Sequence, residues 1–128
     1  MSSVIIDTNV YCNAFRGMEY GKCVFKKFDK ILMSPIVLGE LMYGFLLGSR
    51  KHDNLKQLDL FIKKPRVTCL EITLETSRRF SQIIAELKIS GNPIPTNDIW
   101  IAASAFEHGA YLASEDAHFK NIKGLYIV

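Results

Sequence analysis

The chain has 128 residues, 48% hydrophobic and 23% charged, with a formal charge of +3 from 16 basic and 13 acidic residues. That balance suits one ordinary soluble domain with a real core. The longest nearly unbroken apolar run, residues 99–106, is far too short to span a bilayer, and no basic, apolar, small-residue sequence opens the chain, so neither a membrane anchor nor a signal peptide is expected. Cys12, Cys23 and Cys69 are odd in number and lack CxxC spacing. They point away from a zinc site and toward a reducing, cytoplasmic setting, with the three as small core residues.

Val4, Ile5 and Ile6 form a short apolar run, the pattern of a strand buried on both faces. Asp7 follows directly, then Thr8 and Asn9, residues that start turns and cap helices. A carboxylate is thereby expected at the carboxyl end of a buried strand, where open α/β sheets place their ligands. Alone, Asp7 could simply cap a helix. Residues 10–15 then read as a short helix ended by Gly17. Residues 21–28 read as another, with Val24, Phe25 and Phe28 on one face and Lys22, Lys26 and Lys27 on the other.

Residues 31–33 make a second short strand. Ser34-Pro35 is a strong helix start, and residues 35–47 read as a helix stopped by Gly48. Glu40 is the only charge among those thirteen residues, surrounded by Ile36, Val37, Leu38, Leu41, Met42, Phe45, Leu46 and Leu47. A buried carboxylate is costly unless it is paired or binds a metal; otherwise Glu40 would face solvent. The helix is apolar on more than one side, which suggests that part of it meets a second subunit.

Arg50, Lys51 and His52 read as a basic turn, residues 54–63 as a helix stopped by Pro65, and residues 67–72 as a strand. Thr73 caps a helix over residues 74–90 with a stripe of Leu74, Phe80, Ile83, Ile84 and Leu87; Arg78 and Arg79 are expected on its exposed face. In residues 94–98, Thr96 or Asn97 can cap a helix that begins near Asp98 and runs to His108. That helix is apolar nearly all round and should be buried, with Asp98 at its amino end, where the dipole favours an anion. Residues 111–113 read as a strand, Ser114, Glu115 and Asp116 leave its end, Phe119 anchors the next loop, and residues 125–128 make a terminal strand. Short strands alternate with helices throughout, so the fold class is α/β, a single-domain sandwich with a central, mainly parallel sheet and helices on both faces.

Four segments now stand out: Asp7 in VIIDTNV, Glu40 in SPIVLGELMYG, Asp98 in PTNDIWIAASA and Asp116 in LASEDAHF. Together and in this order they resemble the PIN domain, and more closely the VapC-type toxin ribonucleases of prokaryotic toxin–antitoxin pairs, over the whole chain. The resemblance implies a three-layer PIN-like fold in which Asp7, Glu40 and Asp98 bind metal. Asp116 matches a fourth acidic or amide position, with Ser114 where relatives often carry Thr. Glu115 stands where relatives are often basic, so either Glu115 or Asp116 can be the fourth acid. Thr8 and Asn9 match residues that hydrogen-bond within the site. The resemblance further implies endonucleolytic cleavage of RNA, a homodimer, and a VapB-type antitoxin whose tail covers the active site.

The residue types suit that chemistry. Mg²⁺ and Mn²⁺ are hard ions that take oxygen ligands. Clustered carboxylates supply those ligands, and without metal they repel, so at least one pKa should rise. If four acids share one site, sixteen basic residues face only nine elsewhere, which suits a polyanionic substrate. Lys22, Lys26, Lys27, Arg50 and Lys51 are candidates for phosphate contacts, and His118 could touch substrate; His108 fits the carboxyl end of its helix as a cation. Two alternatives remain at this stage. One is a degenerate PIN domain that only binds RNA or protein. The other is a haloacid-dehalogenase-like phosphatase with Asp7 as nucleophile, although that chemistry usually shows a second Asp where this chain has Asn9.

Overall fold

The computed structural model describes residues 2–128. Four strands form one fully parallel sheet: β1 (Ser3–Ile6), β2 (Lys30–Met33), β3 (Val67–Cys69) and β4 (Tyr111–Ala113), in the order β3-β2-β1-β4. Six helices flank it: α1 (Thr8–Phe15), α2 (Glu19–Lys27), α3 (Pro35–Leu47), α4 (Lys51–Ile62), α5 (Leu74–Ser90) and α6 (Thr96–His108). This is the expected α/β/α sandwich. Val4, Ile5 and Ile6 are fully buried, because β1 is central and covered on both faces. No helix among the described residues is long and apolar enough to cross a membrane.

The strand order decides where the site lies. After β1 the chain moves outward through β2 and β3, then returns to place β4 on the other side of β1. The crevice at the carboxyl ends of β1 and β4 is therefore the switch point where open parallel sheets bind ligands. Ile6 pairs with Ala113, and the next amide, Asp7 N–H, donates to Ala113 C=O at 3.2 Å. Asp7 and Ser114 thus leave adjacent strands side by side.

Several elements form as their sequence signals require. Ser34 Oγ accepts from the Ile36 amide, with Pro35 in the first turn, and α3 runs to Leu47 with Gly48 after it. Thr73 and Thr76 make a reciprocal cap at the start of α5. Gly91 and Gly109 end α5 and α6 in the left-handed conformation that glycine adopts without steric cost. Phe119 is buried and anchors the loop after β4, and Arg78 and Arg79 lie exposed beside Glu75.

Other expectations need correction. No terminal strand forms over residues 125–128. Only Leu112 pairs there, bridging to Ile127, because β4 itself is three residues long and turns away at Ser114. The strand expected over residues 67–72 is shorter, Val67–Cys69. Helix α4 absorbs Lys51 and His52, so they are not a separate turn, and α2 starts two residues before Gly21. Leu74 does not join the buried stripe of α5 and is exposed. Of the cysteines expected in the core, Cys12 is half-buried and packs against it, while Cys23 and Cys69 are exposed. The solvent-facing positions of Cys23 and Cys69 are not legible in composition.

Candidate active site

Asp7 caps α1. Its Oδ1 accepts from the Val10 amide at 2.9 Å, so the helix that the sequence pattern begins at residue 10 starts at Thr8. Its Oδ2 accepts a hydrogen bond from Ser114 Oγ, across the β1–β4 crevice. Ser114 Oγ in turn accepts from the Asp116 amide at 3.0 Å. A single buried hydroxyl therefore ties Asp7 to the chain that carries Asp116. Asp7 therefore caps a helix and also faces the crevice between β1 and β4.

Glu40 projects from the second turn of α3. Thr8 Oγ1 donates to its Oε1 at 2.7 Å, and Asn97 Nδ2 donates to its Oε2 at 3.2 Å. Glu40 is half-buried and satisfied by two donors, rather than enclosed by its apolar neighbours. Of these, Val37 and Leu41 face the core, whereas Met42, Leu46 and Leu47 face outward. Asn97 also corrects the start of α6. Thr96 and Asn97 are its first helical residues, Pro95 stands at the cap position without a side-chain bond, and Asn97 spends its amide on Glu40. Asp98, in the first turn, is free to face the crevice.

Asp116 caps the short 3₁₀ turn Ala117–Asn121, its Oδ1 accepting from the His118 amide at 2.9 Å. That bond folds His118 back over the acids. Its Nδ1 lies 3.2 Å from Asp98 Oδ2 and 3.1 Å from Asp116 Oδ1. Glu115 accepts from Asn13 Nδ2 at 3.2 Å. Asn9 makes no side-chain hydrogen bond among the described residues; it lines a cleft of about 450 Å³ with Asn13, Met18, Glu115 and Asp116. The structure thus brings Asp7, Glu40, Asp98 and Asp116 to one crevice, with Thr8 and Ser114 bonded inside it. Asn97 and His118 complete the arrangement. The sequence offered a signal for each, since Asn97 precedes Asp98 and His118 stands two residues after Asp116, but only the fold shows what they touch.

The electrostatics follow from this geometry. Asp7 has its pKa raised above the ordinary 3.8, chiefly by burial; bonds from Ser114 and Val10 pull it down, and the charges of Asp116 and Glu40 add to the rise. Asp98 is also raised, again chiefly by burial, against the bond from His118 and with Asp116 and Glu40 repelling. The expected rise is present, but desolvation leads and mutual repulsion is the smaller cause. The donors are almost all carboxylate oxygens, converging where two acids resist ionisation, and such a set fits a hard divalent cation. Asp98, Asp116 and His118 bring three ligand atoms within 4.8 Å of one another.

Lys22 and Lys26, with Lys64 and Arg66, rim an apolar hollow of about 380 Å³ lined by Phe15, Phe25 and Phe61, and none of the four acids lines it. Arg50 pairs loosely with Asp53 at the surface. His108 ends α6, 3.9 Å from Glu107.

Fold and site together define a class: a parallel α/β/α domain with an acidic cleft at its topological switch point. Comparison with known proteins gives the family. The PIN domain matches residues 4–125, so the chain belongs to the PIN-domain family. Ribonuclease VapC1 of Rickettsia felis is 32% identical over 128 residues, covering 98% of this chain and 94% of that protein. Ribonuclease VapC2 of the same organism is 31% identical over 100 residues, covering 77% and 73% respectively. The crystal structure of VapBC2 from Rickettsia felis bound to a promoter DNA fragment contains a chain that superposes with a TM-score of 0.87 at 26% identity, covering 98% of this chain and 97% of that one.

Proposed function

We propose that this protein is a divalent-metal-dependent endoribonuclease, the toxin of a VapBC-type pair, acting on RNA in the cytoplasm. The observation that carries the reading is the convergence of Asp7, Glu40, Asp98 and Asp116 on one crevice, two of them held above their ordinary pKa. Relatives named as VapC ribonucleases support the reaction class. Solved structures of VapBC from Rickettsia felis and Salmonella typhimurium support an antitoxin partner.

Asp7, Glu40, Asp98 and Asp116 would hold Mg²⁺ or Mn²⁺. When bound, such an ion offsets charge developing on the phosphoryl oxygens and makes a water a better nucleophile. The chain's own groups do the rest. Val10 N–H and Ser114 Oγ fix the Asp7 carboxylate between two bonds. Thr8 and Asn97 hold Glu40 by both oxygens, so its carboxylate plane is set before any ligand arrives. Ser114 also holds the backbone of Asp116. Preorganised groups of this kind avoid reorientation when the phosphate binds.

The outward face of α3 supports a homodimer. Met42, Tyr43, Leu46 and Leu47 are between 37% and 72% exposed, an apolar patch on one helix that a second copy would cover.

Purified protein, freed of any antitoxin, should cleave labelled RNA with Mg²⁺ or Mn²⁺. EDTA and Asp7→Asn should each abolish cleavage. Cleavage that survives EDTA, or a clean Asp7→Asn preparation that still cuts, would overturn the assignment.

A further inference from the structure

We propose that His118 is a nitrogen ligand of the metal centre, joining Asp98 and Asp116 through Nδ1 and tilting the site toward Mn²⁺ over Mg²⁺. The inference rests on the metal-dependent reading above and adds to it a residue and a metal preference. Nδ1 stands between two carboxylate oxygens, 3.2 Å from Asp98 and 3.1 Å from Asp116. An imidazole nitrogen carries at most one proton, which the two acceptors would have to share. A cation among the three atoms satisfies both carboxylates and takes the nitrogen lone pair. Adjacent ligands on an octahedral ion with bonds of about 2.1 Å stand about 3 Å apart, the spacing seen here.

The ring is held for this role by its own backbone. The His118 amide donates to Asp116 Oδ1, which folds the 3₁₀ turn and carries the imidazole over the acids. Buried Phe119 follows and fixes the turn to the core. The His118 side chain is 48% exposed, so nothing in the core requires a histidine at this position. Imidazole is a softer donor than carboxylate or water. Its presence disfavours Mg²⁺ relative to a first-row transition ion, and Mn²⁺ is the one that still prefers a mostly oxygen set.

The test is Mn²⁺ titration followed by electron spin-echo spectroscopy of the bound ion. Wild-type protein should bind Mn²⁺ and show coupling to a directly coordinated ¹⁴N. His118→Gln should lose that coupling, with Mn²⁺ affinity falling about tenfold or more and Mg²⁺ affinity falling less. His118→Asp, which offers an oxygen in the same place, should restore Mn²⁺ affinity without the nitrogen signal. Bound Mn²⁺ with no nitrogen coupling in the wild type would overturn the His118 assignment and leave the carboxylate centre standing. Failure of the wild type to bind Mn²⁺ at all would overturn both.

Discussion

At the scale of single residues, Asp7 does two jobs that oppose each other in the metal-free protein. It caps α1, which favours its ionised form, and it is buried beside other acids, which disfavours it. Burial wins, so its pKa is raised. A carboxyl whose pKa is higher folded than unfolded takes up its proton more readily in the native state. Stability therefore rises as pH falls through the folded pKa, and the gain ends once pH passes below the unfolded value, 3.8. Asp98 acts in the same direction. The melting midpoint of metal-free protein should climb as pH is lowered from neutral toward the usual carboxylate range, provided EDTA is present throughout. Asp7→Asn keeps an oxygen for the Val10 amide but carries no charge. It should flatten part of that pH dependence and raise the metal-free midpoint, while RNA cleavage is lost. Ser114 holds Asp7 and the Asp116 backbone together through one hydroxyl. Ser114→Ala should weaken metal binding about tenfold in calorimetric titration, with the far-ultraviolet dichroism spectrum unchanged.

At the scale of elements, the seam between α1 and α2 depends on one missing side chain. A Cβ at Gly21 would lie 2.5 Å from Ala14 N, 2.8 Å from Ala14 Cα and 2.9 Å from Val10 O. All three are backbone, so no rotamer change can relieve the clash, and α1 must move. Gly21→Ala should cost about 1–3 kcal/mol in urea unfolding. Because Asp7 caps α1, the same shift should also reduce metal affinity; a variant with lowered stability and wild-type metal binding would show that the cap absorbs the movement. Helix signals with a local mechanism were legible from residues alone: Ser34-Pro35 opening α3, Thr73 opening α5, and glycine closing α5 and α6. The start of α6 was not. Thr96 and Asn97 have the chemistry of caps, but both lie inside the helix with Pro95 at the cap position, and Asn97 Nδ2 donates to Glu40, 57 positions earlier in the chain. A contact that distant leaves no trace in a local pattern.

At the scale of the molecule, the outward apolar face of α3 sets up a test of assembly. Leu46 is 58% and Leu47 is 72% exposed. Replacing both with Glu should convert a dimer to a monomer in light scattering while leaving the melting midpoint of the monomer nearly unchanged, since neither side chain supports the core. A wild-type protein that is already monomeric at micromolar concentration would refute the self-association reading. The sequence by itself determined the alternation of strands and helices and the buried character of β1 and α6, because burial periodicity and capping chemistry act over a few residues. It left open where the cysteines face and what Asn97 and His118 touch. Tertiary structure decided those, because each depends on which elements the topology packs together. Bonds between residues 32 to 107 positions apart are the product of that topology rather than of any local sequence.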